Sequence, residues 1–238
     1  MPGQELRYQA DGLAMVGSLH RPARAGPAPG VLVFPSALGL GDHAIGKAER
    51  IARELGYVAL AADLWGGRRQ LGLAEVMPAL DALTADVRGL RARVGGALAA
   101  LAGQPGVDAG RIAAIGFCLG GTMAFELATC SDIKAAIGFH SGLEVPSLAA
   151  DAQAIKGKIL ALLGADDPSI PPEARSAFTR RLTEAGVDWQ MTLYGGVVHS
   201  FTNPEADSAG MPNVLRYDAR ADRRSWAQMT DLLAEAFG

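Results

Sequence analysis

The chain of 238 residues suits one large α/β unit, and we expect a single domain over residues 1–238. Apolar residues make up 49% of it and charged residues 20%, as in soluble proteins with a full core. The net charge is −3 and no basic run exceeds two residues, which argues against nucleic acid and anionic membrane surfaces as partners.

The N-terminus and the two cysteines indicate a cytoplasmic protein. The first twelve residues, MPGQELRYQADG, contain no apolar segment of the kind found in signal peptides, and no run is long and apolar enough to cross a bilayer. Cys118 and Cys130 do not form a disulfide scaffold. If the residues between them are helical, their sulfurs lie about 18 Å apart, too far to bond.

Apolar runs alternate with helical patterns along the chain. The predicted strands are 5–10, 13–20, 31–35, 58–62, 112–115, 135–139, 159–163 and 190–194. The first two form a hairpin around Asp11 and Gly12, and the later ones are continuously apolar, which is typical of parallel strands covered on both faces. The predicted helices are 43–55, 84–102, 120–128, 172–185 and 218–236, and 64–84 is expected to be a loop over the sheet edge.

This alternation predicts an α/β fold with a mostly parallel, doubly wound sheet of about eight strands flanked by helices. In such sheets a ligand binds outside the carboxyl ends of the strands. Candidate functional residues are therefore sought where strands end.

The strongest local signal is the sequence IAAIGFCLGG at 112–121. An apolar strand is followed by G-x-C-x-G and a helical run, which is the nucleophile-elbow pattern with sulfur in place of the serine oxygen. The helix that follows directs its free N–H groups and its positive end at Cys118, and this favours the thiolate that attacks. The alternative is that Cys118 is a small buried apolar residue in a tight turn. Cys130, at the end of the same helix, is interpreted as structural.

A nucleophilic thiol needs a base, and the base needs a group that orients it. His199 follows the last predicted strand, and an aspartate, Asp166 or Asp167, follows the strand at 159–163. The order cysteine, aspartate, histidine is the order of nucleophile, acid and base in α/β-hydrolases. Spacing does not separate Asp166 from Asp167.

The other three histidines carry weaker signals. His140 also ends a strand, so it either lines the pocket or is merely hydrogen-bonded there. His20 and His43 are interpreted as surface or capping residues.

Together these residues resemble the dienelactone hydrolase family over almost the full chain. The matching motifs are Val33-Phe34-Pro35-x-x-x-Gly39, Ala62-Asp63-Leu64-Trp65, Gly116-Phe117-Cys118-Leu119-Gly120-Gly121, Gly164-x-x-Asp167-Pro168 and His199-Ser200-Phe201. The resemblance implies one α/β-hydrolase domain, a Cys-His-Asp triad and no metal or organic cofactor. It places the acid before the proline, at Asp167, and the oxyanion hole at the backbone N–H groups of Ala37 and Leu119.

The chain departs from the family pattern around the substrate. The founding members have a glutamate that contacts the thiol where this chain has Ser36, and an arginine four residues beyond the histidine where this chain has Asn203. A second substrate-binding arginine has a counterpart in Arg68 or Arg69. Half of an arginine clamp for a substrate carboxylate is thus missing, and an amide does not replace a bidentate arginine.

Aromatic residues complete the set of candidate pocket residues. We expect a more apolar mouth formed by Trp65, Phe117 and Phe201, together with Phe34 and Leu38, although each suits the core equally well. The substrate is accordingly expected to be a less anionic ester than the family name suggests.

The function predicted from these residues is hydrolysis of a small-molecule carboxylic ester or lactone through a thioester acyl-enzyme. Because Ser36 carries no carboxylate that could compete for His199, we expect Cys118 to be activated before substrate binds. The alternatives are a non-catalytic ligand-binding or thiol-sensing protein on the same fold, and an acyltransferase. The expected assembly is a monomer or a weak homodimer.

Overall fold

All eight strands join one sheet in the computed structural model, which describes residues 3–23 and 26–238. Their order across the sheet is β1-β2-β4-β3-β5-β6-β7-β8. The strands are β1 Gln4–Ala10, β2 Leu13–His20, β3 Ala28–Phe34, β4 Val58–Ala61, β5 Val107–Phe117, β6 Ala135–Phe139, β7 Lys158–Gly164 and β8 Trp189–Tyr194.

The sheet is antiparallel only at one edge. β1 and β2 form the predicted hairpin, whose turn residues Asp11 and Gly12 have φ of 52° and 69°. β2 is antiparallel to β4, and from β4 to β8 every neighbouring pair is parallel. The predicted mostly parallel sheet of about eight strands is confirmed.

Helices cover both faces of the sheet. They are α1 Asp42–Leu55, α2 Leu73–Ala85, α3 Val87–Ala102, α4 Leu119–Thr129, α5 Leu148–Asp151, α6 Pro172–Glu184 and α7 Ala219–Phe237. Alternate strand residues face opposite sides, so Val31 and Val33 pack with α1 and α7, whereas Leu32 and Phe34 pack with α3 and α4. Among the described helices none is both long and apolar enough to span a bilayer.

The region expected to be a loop, 64–84, was predicted wrongly because it contains α2. Pro78 inside the helix and the preceding Gly66 and Gly67 gave the segment the composition of a loop. The helix starts where the Glu75 side chain accepts a hydrogen bond from the Gly72 N–H, 2.8 Å away. The helix predicted at 84–102 therefore begins later, at Val87, behind an Asp86 cap.

Candidate active site

Cys118 occupies a strained turn between β5 and α4. Its φ of 55° and ψ of −121° lie where L-residues are rarely found. Two hydrogen bonds hold the turn: Cys118 N–H donates to Phe139 O, and Gly121 N–H donates to Cys118 O, both at 3.0 Å. A Cβ at position 116 or 120 would overlap neighbouring backbone, so glycine is required on both sides. This is the geometry expected of a nucleophile elbow.

His199 and Asp167 meet at the same edge of the sheet. The two atoms His199 Nδ1 and Asp167 Oδ2 are 2.6 Å apart, and both side chains are buried. The Ser169 N–H donates to the other carboxylate oxygen at 2.9 Å. Asp166 points into solvent instead. The structure therefore brings His199 together with the aspartate that the family pattern favours.

The Cys118 sulfur and the His199 imidazole shift each other's pKa. Burial by itself would raise the pKa of Cys118, but the charge and hydrogen bond of His199 and the Leu119 and Ala37 N–H groups lower it. Burial opposes protonation of His199, yet its pKa is raised by the Cys118 sulfur and by Asp167. The proton is thus favoured on the imidazole and the negative charge on the sulfur.

Backbone N–H groups from two different elements, those of Ala37 and Leu119, form hydrogen bonds that lower the pKa of Cys118. Leu119 is the first residue of α4, and Ala37 lies in the loop after β3. Donors so placed can stabilise negative charge on a bound carbonyl oxygen beside the sulfur.

A groove of about 300 Å³ runs between the loop after β3 and the loop after His199. Ser36 and Asn203 both line it, together with the acidic residues Asp42 and Glu205. No lysine or arginine is among its lining residues. Burial and nearby Lys47 lower the pKa of His43, which also lines the groove, to about 4, so this histidine is neutral at pH 7.

Leu38, which was expected at the mouth of the pocket, also lines this groove, whereas the remaining predicted pocket residues do not. Arg68 and Arg69 are exposed, and Arg69 forms an ion pair with Glu75 at 2.5 Å beside a second groove under α2. Phe117, Phe201 and His140 are buried and pack on one another behind Cys118 and His199. The half-buried Trp65 donates through its indole N–H to Ala37 O at 2.9 Å.

The comparisons with known proteins identify the family. The profile of the dienelactone hydrolase family matches residues 15–237. The chain belongs to the dienelactone hydrolase family. It is a hydrolase of ester or lactone bonds, and it has the α/β-hydrolase fold.

Three proteins illustrate the range of similarity to this chain. A dienelactone hydrolase-like promiscuous phosphotriesterase from metagenomic libraries superimposes with a TM-score of 0.94 at 41% identity, covering 99% of this chain and 98% of its own. A probable 2-oxo-3-(5-oxofuran-2-ylidene)propanoate lactonase of Bradyrhizobium sp is 29% identical over 201 residues, 80% of each chain. An esterase of Pyrobaculum calidifontis shares the fold at 17% identity, with a TM-score of 0.67 over 99% of this chain and 86% of its own.

The structure also shows contacts of this hydrolase that the sequence patterns did not predict. Buried Thr202 accepts a hydrogen bond from His43 at its backbone oxygen and contacts His140 Nε2 through Oγ1, at 3.0 and 2.9 Å. His20 is buried rather than on the surface, and contacts Ser18 Oγ. Only the position of Thr202, three residues after His199, hinted at its place beside the site.

No group of three or more histidine, cysteine, aspartate or glutamate residues within the described part of the chain is arranged to hold a metal ion. The absence of a cofactor stays a prediction.

Proposed function

We propose that this hydrolase cleaves a carboxylic ester or lactone through a thioester acyl-enzyme on Cys118, with His199 as base and Asp167 as its orienting acid. One observation carries the proposal. The imidazole that acts on the sulfur of an elbow cysteine lies, through its other ring nitrogen, 2.6 Å from a buried carboxylate. This arrangement supports the assignment of Cys118 as nucleophile, His199 as base and Asp167 as orienting acid.

The reaction proceeds in two halves. The Cys118 thiolate attacks the carbonyl carbon, and the oxyanion lies between the N–H groups of Ala37 and Leu119. As the tetrahedral intermediate collapses, the C–O bond breaks and the alcohol leaves with the proton held by His199. His199 then takes a proton from water as the hydroxide attacks the thioester carbonyl. The C–S bond breaks, the acid departs, and the Cys118 thiolate is left beside protonated His199.

Hydrolysis of p-nitrophenyl acetate tests the three assignments. We expect Cys118→Ala and His199→Ala to lower kcat/KM by about 10³-fold or more, and Asp167→Asn by about 10²–10⁴-fold because the imidazole loses its orienting acid. Cys130→Ala, the matched cysteine control, should leave kcat/KM unchanged. Full activity in both Cys118→Ala and His199→Ala would exclude the mechanism. Cys118→Ser is less decisive because serine also serves as nucleophile in this fold.

We also propose that the substrate is uncharged near its acyl group. Ser36 and Leu38, which flank Ala37 in sequence, line the groove with Asn203, and its charged lining residues, Asp42 and Glu205, are acidic. A carboxylate bound there would meet negative charge and no cation. A neutral phosphotriester suits the same groove, and this second candidate is favoured by the 41% identity to the promiscuous phosphotriesterase.

Substrates with a common p-nitrophenol leaving group test this preference. We expect kcat/KM for p-nitrophenyl hexanoate to exceed that for mono-p-nitrophenyl adipate by about fivefold or more. Both acyl groups have six carbons, and in the adipate a carboxylate replaces the terminal methyl group. Diethyl p-nitrophenyl phosphate tests the second candidate. The expected products are p-nitrophenol and diethyl phosphate, formed through a phosphorylated Cys118 and lost in Cys118→Ala. Equal or faster turnover of the adipate ester would contradict the charge preference.

Three further assignments are proposals of the same kind. A single domain is supported by the joining of all eight strands in one sheet. A cytoplasmic location is supported by Cys118 and Cys130 both being free thiols, which reducing compartments maintain. For the assembly we propose a monomer or weak homodimer, and for the acyl acceptor we propose water.

A further inference from the structure

The loop that presents the Ala37 N–H, residues 36–40, begins with a tight turn. Gly39 N–H donates to Ser36 O at 2.9 Å, and Gly39 has a φ of 100°. This bond fixes the plane of the peptide between Ser36 and Ala37. Because the C=O and N–H of a trans peptide point in opposite directions, the Ala37 N–H is turned away from Gly39. This N–H forms a hydrogen bond that lowers the pKa of Cys118.

Three further carbonyls of this loop, those of Ala37, Leu38 and Leu40, accept hydrogen bonds from residues 65–71. Trp65 Nε1 donates to Ala37 O at 2.9 Å, Leu71 N–H to Leu38 O at 2.9 Å and Gln70 Nε2 to Leu40 O at 3.2 Å. Of these three bonds, the one from Trp65 is accepted by the carbonyl oxygen of Ala37. It fixes the peptide that follows Ala37, so both peptides flanking this residue are held.

Trp65 is itself held by a buried carboxylate. Asp63 accepts the N–H groups of Val16, Trp65 and Arg68, at 2.9, 3.1 and 2.7 Å. The Arg93 guanidinium lies 5.6 Å from the centre of the indole. The indole N–H is thus positioned before any substrate arrives, rather than being free to choose another partner.

We propose that Trp65 is a positioning residue that aligns the Ala37 N–H for the oxyanion through the indole bond to Ala37 O. The inference rests on the proposed function, because it assumes that Ala37 stabilises an oxyanion formed at Cys118. Loss of the indole donor lets residue 37 rotate, which weakens stabilisation of the transition state more than binding of the ground-state substrate.

Trp65→Phe removes the donor and keeps most of the ring. Trp189→Phe is the matched control, because Trp189 Nε1 donates to Thr183 Oγ1, also at 2.9 Å, at the start of β8 and far along the chain from Ala37. We expect kcat for p-nitrophenyl acetate to fall about tenfold in Trp65→Phe with KM nearly unchanged, less than the about 10²–10³-fold loss of a whole oxyanion donor. Trp189→Phe should keep the wild-type kcat.

The Cys118 thiol gives a second measurement that a merely structural role of Trp65 would not change. Because the Ala37 N–H helps to lower the pKa of Cys118, the pH midpoint of iodoacetamide alkylation should rise in Trp65→Phe and stay in place in Trp189→Phe. Should Trp65→Phe fold poorly by circular dichroism, 3-benzothienylalanine at position 65 removes the N–H while keeping the shape of the indole.

The outcomes separate this inference from the proposed function. Wild-type kcat and an unchanged alkylation midpoint in the Trp65 variant would overturn the role of Trp65 while Cys118→Ala remains inactive. Full activity in Cys118→Ala would overturn the proposed function instead. An equal loss of activity in Trp65→Phe and Trp189→Phe would assign both indole bonds to general stability and also overturn the inference.

Discussion

The pKa of Cys118 depends on groups that counteract the effect of burial. Cys118 is partly exposed, and the burial of its sulfur would by itself raise the pKa, yet His199 and the N–H groups of Leu119 and Ala37 lower it. Cys130 offers the opposite case in the same chain, since burial raises the pKa of its thiol and the nearby Glu126 adds to the effect. The two cysteines should therefore react with electrophiles over different ranges of pH.

Alkylation by iodoacetamide measures this difference, because only the thiolate reacts. A lowered pKa makes the thiolate available at lower pH, so the midpoint for Cys118, measured in Cys130→Ala, should fall below about 8.5. The midpoint for Cys130, measured in Cys118→Ala, should lie above that value. His199→Ala should move the Cys118 midpoint upward. A midpoint near 8.5 for Cys118 in Cys130→Ala would show that the thiol is not activated.

At the scale of elements, the helix behind Cys118 is held by a buried charge. Every residue of α4 is buried, and the Glu126 side chain is fully enclosed. Arg91 of α3 donates to one of its oxygens at 2.9 Å, and the Ser147 N–H, just before α5, donates to the other at 3.1 Å. Arg91 also pairs with Asp151. One carboxylate thereby ties α4 to two neighbouring elements.

Removing the cation should therefore cost stability rather than chemistry. Arg91→Met leaves Glu126 buried without its cationic partner. We expect the free energy of unfolding in urea to fall by about 2–4 kcal/mol, somewhat less than for a fully buried pair because Arg91 is partly exposed. Lys156→Met breaks an exposed pair with Asp132 and should cost no more than about 0.5 kcal/mol. Similar losses in the two variants would mean that the Glu126 network contributes little.

For the molecule as a whole, the sequence predicts those features that depend on a local motif or on a periodic pattern of apolar residues. The elbow is a ten-residue pattern and the parallel strands are mostly continuous apolar runs, so the sequence predicts both. Asp166 and Asp167 are adjacent, and spacing alone could not separate them; only packing shows that one is buried against His199. The helix α2 was missed because Pro78 opposes a helix locally, while packing of Leu83 against the core favours it.

The contact between Trp65 and Ala37 joins residues 28 apart in sequence, and it follows from the strand order. β4 and β5 flank β3 in the sheet, so the loops after these three strands lie side by side at the carboxyl edge. The loop after β5 carries Cys118, the loop after β3 carries Ala37, and the loop after β4 carries Trp65. Cys118, Ala37 and the indole that contacts Ala37 thus lie in the loops after three adjacent strands of the sheet.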